Sequence, residues 1–442
     1  MPFKRTRTGC LTCRGDGYKC DEKKPFCGRC VRLGKECKGY GLKLRWQSPS
    51  NPHRVDSELD GARRRKVSSM TSTQRQASLD GPRAMSSGLR PQHAYLLGHW
   101  TTTLASLISL VPTTHYQFHA HITPIIAHSP SLRSAVCSIA ACHLGVLRND
   151  PSLFTVAIRY QTDAISLLRQ NIGSEKPLVS LAIIVMLQIT DRLFTSSSEV
   201  NHLEGAKAII ARAAAKTWHC DAGVFLFSLC RYHDAVISVS RRTPPVLSLG
   251  EGFHEFEGIK YIRDLKIIWT TIGRISSMCS QSGDMLDTEG KAIEQTLQAI
   301  DMPTDGEGDA DRTVLAYKEA AYIYLHRVWH NVGSPHPTSL KHARDCLNHL
   351  CHIPVSSPLV SMHAWPLWTA ACETIDAALR DLVRMRLKDM YELRHLPSLR
   401  RLERDIDDVW RVKDRERTST GIDEVDCIQA ILSIRQRGAD LV

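Results

Sequence analysis

Six cysteines within the first forty residues, Cys10, Cys13, Cys20, Cys27, Cys30 and Cys37, constrain this chain more than any other feature. Their spacing, C-x2-C-x6-C-x6-C-x2-C-x6-C, writes one unit twice: Cys10-Leu11-Thr12-Cys13 with Cys20 beyond, then Cys27-Gly28-Arg29-Cys30 with Cys37 beyond. Two four-coordinate zinc ions need eight sulfur bonds, and six thiolates supply eight only if two of them bridge both metals. The spacing therefore fits a binuclear cluster better than two separate sites. A disulfide framework or scattered core thiols fits less well. The opening residues, Met1 to Arg7, contain no apolar core of a secretory signal, so the thiols are expected to stay reduced. The segment also has too few large apolar residues to hold itself together, and structural zinc supplies what is missing.

Charge divides the chain along the same line. The 442 residues carry a formal charge of +11, and residues 1–93 hold 21 Lys+Arg against 8 Asp+Glu. Residues 94–442 hold 36 basic against 38 acidic side chains. A polyanion-binding end attached to a near-neutral globular body is the physical reading. Residues 1–46 are expected to form the cluster domain with basic flanks, including the arm Lys4, Arg5 and Arg7. Residues 47–92, rich in Ser, Arg, Gln, Pro and Gly, read as a flexible basic linker. Within it Arg63, Arg64, Arg65 and Lys66 form a compact run that suits nuclear import or an extra phosphate contact, and equally a solvated charge run. Val55, Leu59, Val67, Leu79 and Leu89 keep no heptad, so a homodimer, if formed, has no coiled coil after the cluster.

From about residue 94 the apolar pattern is helical. Leu96, Trp100, Leu104 and Leu107 recur at helix spacing, as do Leu132, Val136, Ile139 and His143, and Leu153, Ala157, Tyr160, Ala164 and Leu168. Further helices are predicted over 178–194, 203–215, 222–240, 260–280, 288–300, 312–331, 338–351, 365–390 and 399–412. Breaks are predicted at Pro112, Asn149-Asp150-Pro151, Pro244-Pro245, Gly333-Ser334-Pro335, the acidic loop Asp301–Asp311 and Pro397. The basic stretch Arg380 to Arg417 reads as the exposed face of C-terminal helices. The most apolar run, Leu178 to Ile189, is interrupted by Ser180 and Gln188 and reads as a buried helix rather than a membrane span. The expected architecture is a small irregular/α binuclear zinc cluster domain, a flexible linker, and a large all-α domain over 93–442.

With these residues in view, the chain resembles the fungal-type binuclear zinc cluster (Zn(2)-C6) transcription factors. The resemblance lies in Gly9-Cys10-Leu11-Thr12-Cys13-Arg14, Lys19-Cys20-Asp21-Glu22, Lys24-Pro25-Phe26-Cys27 and Cys30-Val31-Arg32-Leu33-Gly34-Lys35-Glu36-Cys37. The helical body is similar to a fungal-specific transcription factor domain, with Tyr95–Trp100, Ile125–Ser131 and Leu132–Leu147 like its opening helices. The resemblance implies two Zn2+ ions with Cys10 and Cys27 as the bridges. It implies double-stranded DNA as a partner, with Lys19 at base edges of a CGG-type triplet and Arg14 among the phosphate contacts. It further implies a nuclear regulator of RNA polymerase II transcription that contacts the transcription machinery or co-regulators, commonly one serving a secondary-metabolite gene cluster. Family members usually carry two or three basic residues where this chain has Gly15-Asp16-Gly17-Tyr18. Two glycines weaken a short helix by about 1 kcal/mol each, and Asp16 sets a negative charge where phosphates should lie. Zinc binding with weakened DNA affinity is the expectation; a transcriptional accessory protein acting through protein contacts is the alternative.

The remaining signals are weaker. Nine cysteines lie outside the cluster (137, 142, 220, 230, 279, 346, 351, 372 and 427) and read as buried small hydrophobes. His342, Cys346, His349, Cys351 and His352 lie close in sequence but repeat no metal-binding knuckle, and read as ordinary side chains, as do His115, His119, His121 and His128. No phosphate-cradling glycine loop, G-x-S-x-G elbow or H-E-x-x-H helix is present, so an enzyme is not expected.

Overall fold

The computed structural model describes residues 9–23, 27–37, 91–108, 117–171, 173–194, 202–247, 260–300, 308–420 and 426–427. The basic arm Lys4, Arg5 and Arg7, the residues Lys24–Phe26, the expected linker with Arg63–Lys66 and its broken heptad, Pro112 and His115 lie outside them. The chain divides into two compact units, one holding the six cysteines and one helical. Among the described residues there is no strand.

In the cysteine unit two short helices, α1 (Leu11–Gly15) and α2 (Gly28–Arg32), are the regular structure. The helical unit opens with α3 (Pro91–His99), which passes through a widened π turn, Trp100–Leu104, into α4 (Ala105–Leu107). The Thr101 and Thr102 hydroxyls donate to the carbonyls of Leu97 and Gly98, competing with the helix for those acceptors at the widened turn. Two short helices follow, α5 (Gln117–His121) and α6 (Thr123–Ile126), then the long α7 (Pro130–Arg148) and α8 (Pro151–Asn171). Ser129 Oγ accepts the Leu132 N–H at 3.2 Å and Pro130 takes the first position, a matched start signal for α7. Asn149, left-handed at φ 50°, ends α7, and Pro151 starts α8, so the predicted break lies where these residues dictate. With so short a connection, α7 and α8 pack along each other, and α9 (Pro177–Phe194) lies against α7.

Next come α10 (Leu203–Arg212), α11 (Asp221–Arg241), α12 (Lys260–Met278), α13 (Asp284–Gln298), α14 (Asp309–His330) and α15 (Pro337–Cys351). The last three are α16 (Ala364–Cys372), α17 (Ala377–Arg394) and α18 (Pro397–Thr420). The main core runs through α11 to α18; every residue of α16 is buried, and Trp365 stacks on Tyr317 with centroids 5.6 Å apart. A smaller apolar cluster joins Leu96 of α3 to α7 and α8.

Three expectations need correction. The helix predicted over 365–390 is two helices, because the Asp376 carboxylate caps Leu379 N–H at 2.9 Å and starts α17 afresh. Asp309 and Asp311 of the acidic stretch form the first turn of α14, where the helix dipole favours negative charge; residues 301–307 lie outside the described residues. The basic stretch is not simply an exposed face: Arg386, Arg394, Arg401 and Lys413 are buried. Arg394 donates to the carbonyls of Val355 and Ser357, and Arg401 to that of Arg192, so the guanidinium forks serve loop and helix-end carbonyls. Of the nine further cysteines, six are buried, Cys279 and Cys351 partly so, and Cys220 is exposed. By length and composition α7, α9 and α11 could each cross a membrane; here most of each is covered by neighbouring helices. α9 carries buried Gln188 and Asp191, which take the N–H and ring of His202, a polar pairing suited to a protein core.

Candidate metal centre and nucleic-acid interface

The doubled spacing folds into doubled geometry. In each half the first cysteine sulfur accepts the N–H of the second, Cys10 from Cys13 and Cys27 from Cys30, both at 3.3 Å. Each sulfur thereby caps its own helix, α1 or α2. The first cysteine's own N–H donates to the third sulfur of its half, Cys10 to Cys20 at 3.3 Å and Cys27 to Cys37 at 3.4 Å. Both helices stop in the same way. Gly17 (φ 76°) follows α1 and Gly34 (φ 61°) follows α2, and the next N–H reaches back to Cys13 O from Tyr18 and to Cys30 O from Lys35, each at 2.9 Å. This is a glycine-dependent helix stop, since only glycine adopts the left-handed backbone without penalty.

The six sulfurs converge. Those of Cys10, Cys13, Cys20 and Cys27 lie within 4.8 Å of one another, and so do those of Cys10, Cys27, Cys30 and Cys37. Cys10 and Cys27 belong to both sets, with sulfurs 3.6 Å apart. Tetrahedral zinc with ~2.3 Å zinc–sulfur bonds places its ligand sulfurs ~3.8 Å apart. The neighbouring separations of 3.6 Å for Cys13–Cys27 and 3.8 Å for Cys10–Cys30 suit that edge, so the residues fit the metal. Burial pushes the Cys27 thiol up to about 12 and raises Cys10 and Cys30 as well. Bare thiols here would stay protonated; zinc, once held by these sulfurs, would supply the positive charge that favours the thiolate form.

Around the sulfurs the two halves are braced by polar contacts. The Asp21 carboxylate accepts the Gly28 N–H at the start of α2, at 2.9 and 3.0 Å. Thr12 Oγ1 donates to Glu36 O at 2.9 Å. Arg14 and Lys19 are both exposed. Asp16 is not a bare negative charge: Lys35 Nζ lies 2.8 Å from its carboxylate and Arg29 Nη1 3.7 Å away. The hydrogen bond from Lys35, helped by Arg29, holds the Asp16 carboxyl below the usual carboxylate range. Arg29 also donates to Cys13 Sγ at 3.7 Å and lies 4.1 Å over the Tyr18 ring. Two sequence expectations change accordingly. Gly17 lies beyond the helix and ends it, so only Gly15 carries a helical glycine penalty, and a side chain there would meet nothing within 4 Å. The roles of Tyr18, Arg29 and Lys35 were missed, although the 17-residue offset pairing Gly17 with Gly34 was a signal that could have aligned these segments.

Elsewhere the structure brings together little that could act chemically. Among the described residues, His, Cys, Asp and Glu groups able to hold a metal are the two cysteine sets alone. The Cys346 thiol donates to Ala316 O, His342 pairs with Glu319, and His352 bonds Asn348 O of its own helix. A half-open recess of about 410 Å³ between α10 and α11 is lined by Lys207, Asp234, Arg241 and Pro245. The Asp234 carboxylate there is already taken by the N–H groups of Val246 and Leu247.

Comparison with known proteins follows the same division. Residues 8–47 match the fungal Zn(2)-Cys(6) binuclear cluster domain, and residues 95–265 and 273–432 match the fungal specific transcription factor domain. An uncharacterised transcriptional regulatory protein of Schizosaccharomyces pombe is 30% identical over 208 residues, 45% of this chain and 33% of that protein. Arginine metabolism regulation protein II of Saccharomyces cerevisiae is 49% identical over 49 residues, 11% of this chain and 6% of the relative. The aspercryptin biosynthesis cluster-specific transcription regulator of Emericella nidulans is 53% identical over 57 residues, 12% of this chain and 9% of the relative. The chain thus spans a third or less of the length of these curated relatives. No solved structure matches it.

Proposed function

The chain belongs to the fungal transcription regulators that join a two-zinc Zn(2)-Cys(6) cluster to a fungal-specific transcription factor domain, and we propose that it is a nuclear, sequence-specific DNA reader acting on RNA polymerase II transcription. Its boundaries in this reading are 1–46 for the zinc cluster, 47–92 for the linker and 93–442 for the regulatory body, which receives input or contacts co-regulators. Cys10 and Cys27 bridge the two zincs, and Cys13, Cys20, Cys30 and Cys37 complete the tetrahedra. What supports this assignment is the pair of sulfur sets that share those two residues. Zinc supplies the cross-link that fixes the fold; the chain's own residues do the reading.

Lys19 donates to guanine O6 and N7 of a CGG-type triplet in the major groove, and Arg14 contacts phosphate nearby. Both side chains are exposed, Arg14 in the last turn of α1 and Lys19 on the segment that follows it. Lys4, Arg5 and Arg7 add phosphate contacts, and Arg63 to Lys66 serve nuclear import. A secondary-metabolite gene cluster is the proposed target class, supported by the likeness of the cluster region to the aspercryptin regulator.

Site selection from a random duplex pool by the zinc-loaded full chain tests the reading. Enrichment of CGG-containing sites, lost on Lys19→Ala, is the expected result. Recovery of no preferred sequence overturns it in favour of an accessory protein that works through protein contacts.

A further inference from the structure

Asp16 stands between Arg14 and Lys19 in the chain, on the segment that meets DNA in the function proposed above, on which this inference rests. It is held from across the cluster by two cations of the other half, and these differ in freedom. The Arg29 side chain is only 15% exposed and is fixed by Asp16, Cys13 Sγ and the Tyr18 ring together. The Lys35 side chain is half exposed, and its ammonium donates to the Asp16 carboxylate at 2.8 Å. Lysine is a point charge on a flexible stem, and an exposed pair of this kind is easily exchanged.

We propose that Asp16 is an internal stand-in for a DNA phosphate: its carboxylate holds the Lys35 ammonium, which must let go before it can neutralise the backbone beside Arg14 and Lys19. Carboxylate and phosphate compete for the single positive charge of the Lys35 ammonium. The tether to Asp16 keeps Lys35 within reach of any phosphate that approaches the 14–19 segment, so the exchange needs no large movement. Because phosphates carry no sequence information, the competition weakens binding to every duplex by the same factor. Base contacts then supply a larger share of whatever affinity remains. Asp16 therefore sets how tightly this protein holds DNA in general, and Lys19 sets which DNA it prefers.

The test is fluorescence anisotropy of the zinc-loaded full chain on a CGG-containing duplex and a scrambled one, from 50 to 200 mM salt. Releasing one cation to one phosphate should tighten Asp16→Asn binding to both duplexes by about 8-fold near 0.1 M salt and steepen the log–log salt slope by about 0.9. In a Lys35→Ala background the same substitution should leave the slope unchanged. The inference is overturned if the slope steepens equally without Lys35, since the carboxylate then acts by repulsion alone. It is also overturned if Asp16→Asn matches the unsubstituted protein while that protein binds the CGG duplex. Binding by neither protein to any duplex, with two zincs present in each, would sink the DNA-reading function itself and this inference with it.

Discussion

Glu373, just past the end of α16, is enclosed by cations. Lys413 Nζ donates to its Oε2 at 3.0 Å and to Ser334 Oγ at 3.0 Å, Arg327 donates to its Oε1, and the Ser334 N–H reaches Oε2 at 2.6 Å. Burial by itself would push the Glu373 carboxyl up, but Lys413 and Arg327 outweigh it and hold the group down to about 2. Its folded value lies below the ordinary 4.5, so the stability it contributes is complete above that pH and is lost as pH falls from there toward 2. Urea midpoints measured across this window should fall steeply in the natural protein and more gently in Glu373→Gln. At neutral pH the same substitution leaves Lys413 and Arg327 without their buried counter-charge and should cost about 3–5 kcal/mol. None of this was legible in the sequence. Lys413 falls in the basic stretch that reads as an exposed helix face, and the packing of α18 against α16 and Ser334 makes it internal. The convergence of the six cysteines was legible because metal ligation needs particular atoms at particular spacings, which side-chain substitution cannot imitate.

Helices α1 and α2 are one design used twice, each opened by a cysteine sulfur and closed by a left-handed glycine. Gly17→Ala should strain the stop of α1 by about 1 kcal/mol, read as a ~5-fold loss of zinc affinity in a chelator competition. Removing a bridging sulfur should do more than removing a terminal one: Cys10→Ser disturbs both metal sites, Cys37→Ser chiefly one. Metal content by atomic absorption should therefore fall toward zero in the first and toward one per chain in the second. At this scale the body was largely legible. Predicted helices over 178–194, 222–240 and 338–351 meet α9, α11 and α15 within a residue or so, because long apolar periodicity and flanking Pro or Gly leave few alternatives. The break at Asp376 escaped because a single capping carboxylate, with neither Pro nor Gly beside it, decided it. The helix stop at Gly17 was misread as a weakness within the helix for a similar reason: a glycine's meaning depends on which side of the last turn it lies.

Across the whole molecule the cluster and the helical body each have a core of their own, sulfur in one and apolar side chains in the other. Trp365→Ala, removing a fully buried ring stacked on Tyr317, should cost the body about 3–5 kcal/mol. A denaturant titration should show that loss while metal content stays at two zincs per chain. The basic and near-neutral portions of the chain were legible from composition alone. How α14 seats on α15 and α16 was not, since helix pairing depends on shape complementarity that periodicity does not encode. The sharing of Cys10 and Cys27 between the two sulfur sets has a further consequence for a population of these molecules. The first zinc ion to arrive orders sulfurs that the second also uses, so the second binds more readily. At half the zinc needed for saturation, native mass spectrometry should find chains that are mainly empty or fully loaded. A cell short of zinc would then hold fewer competent regulators, each working at full strength, rather than a full complement working at half.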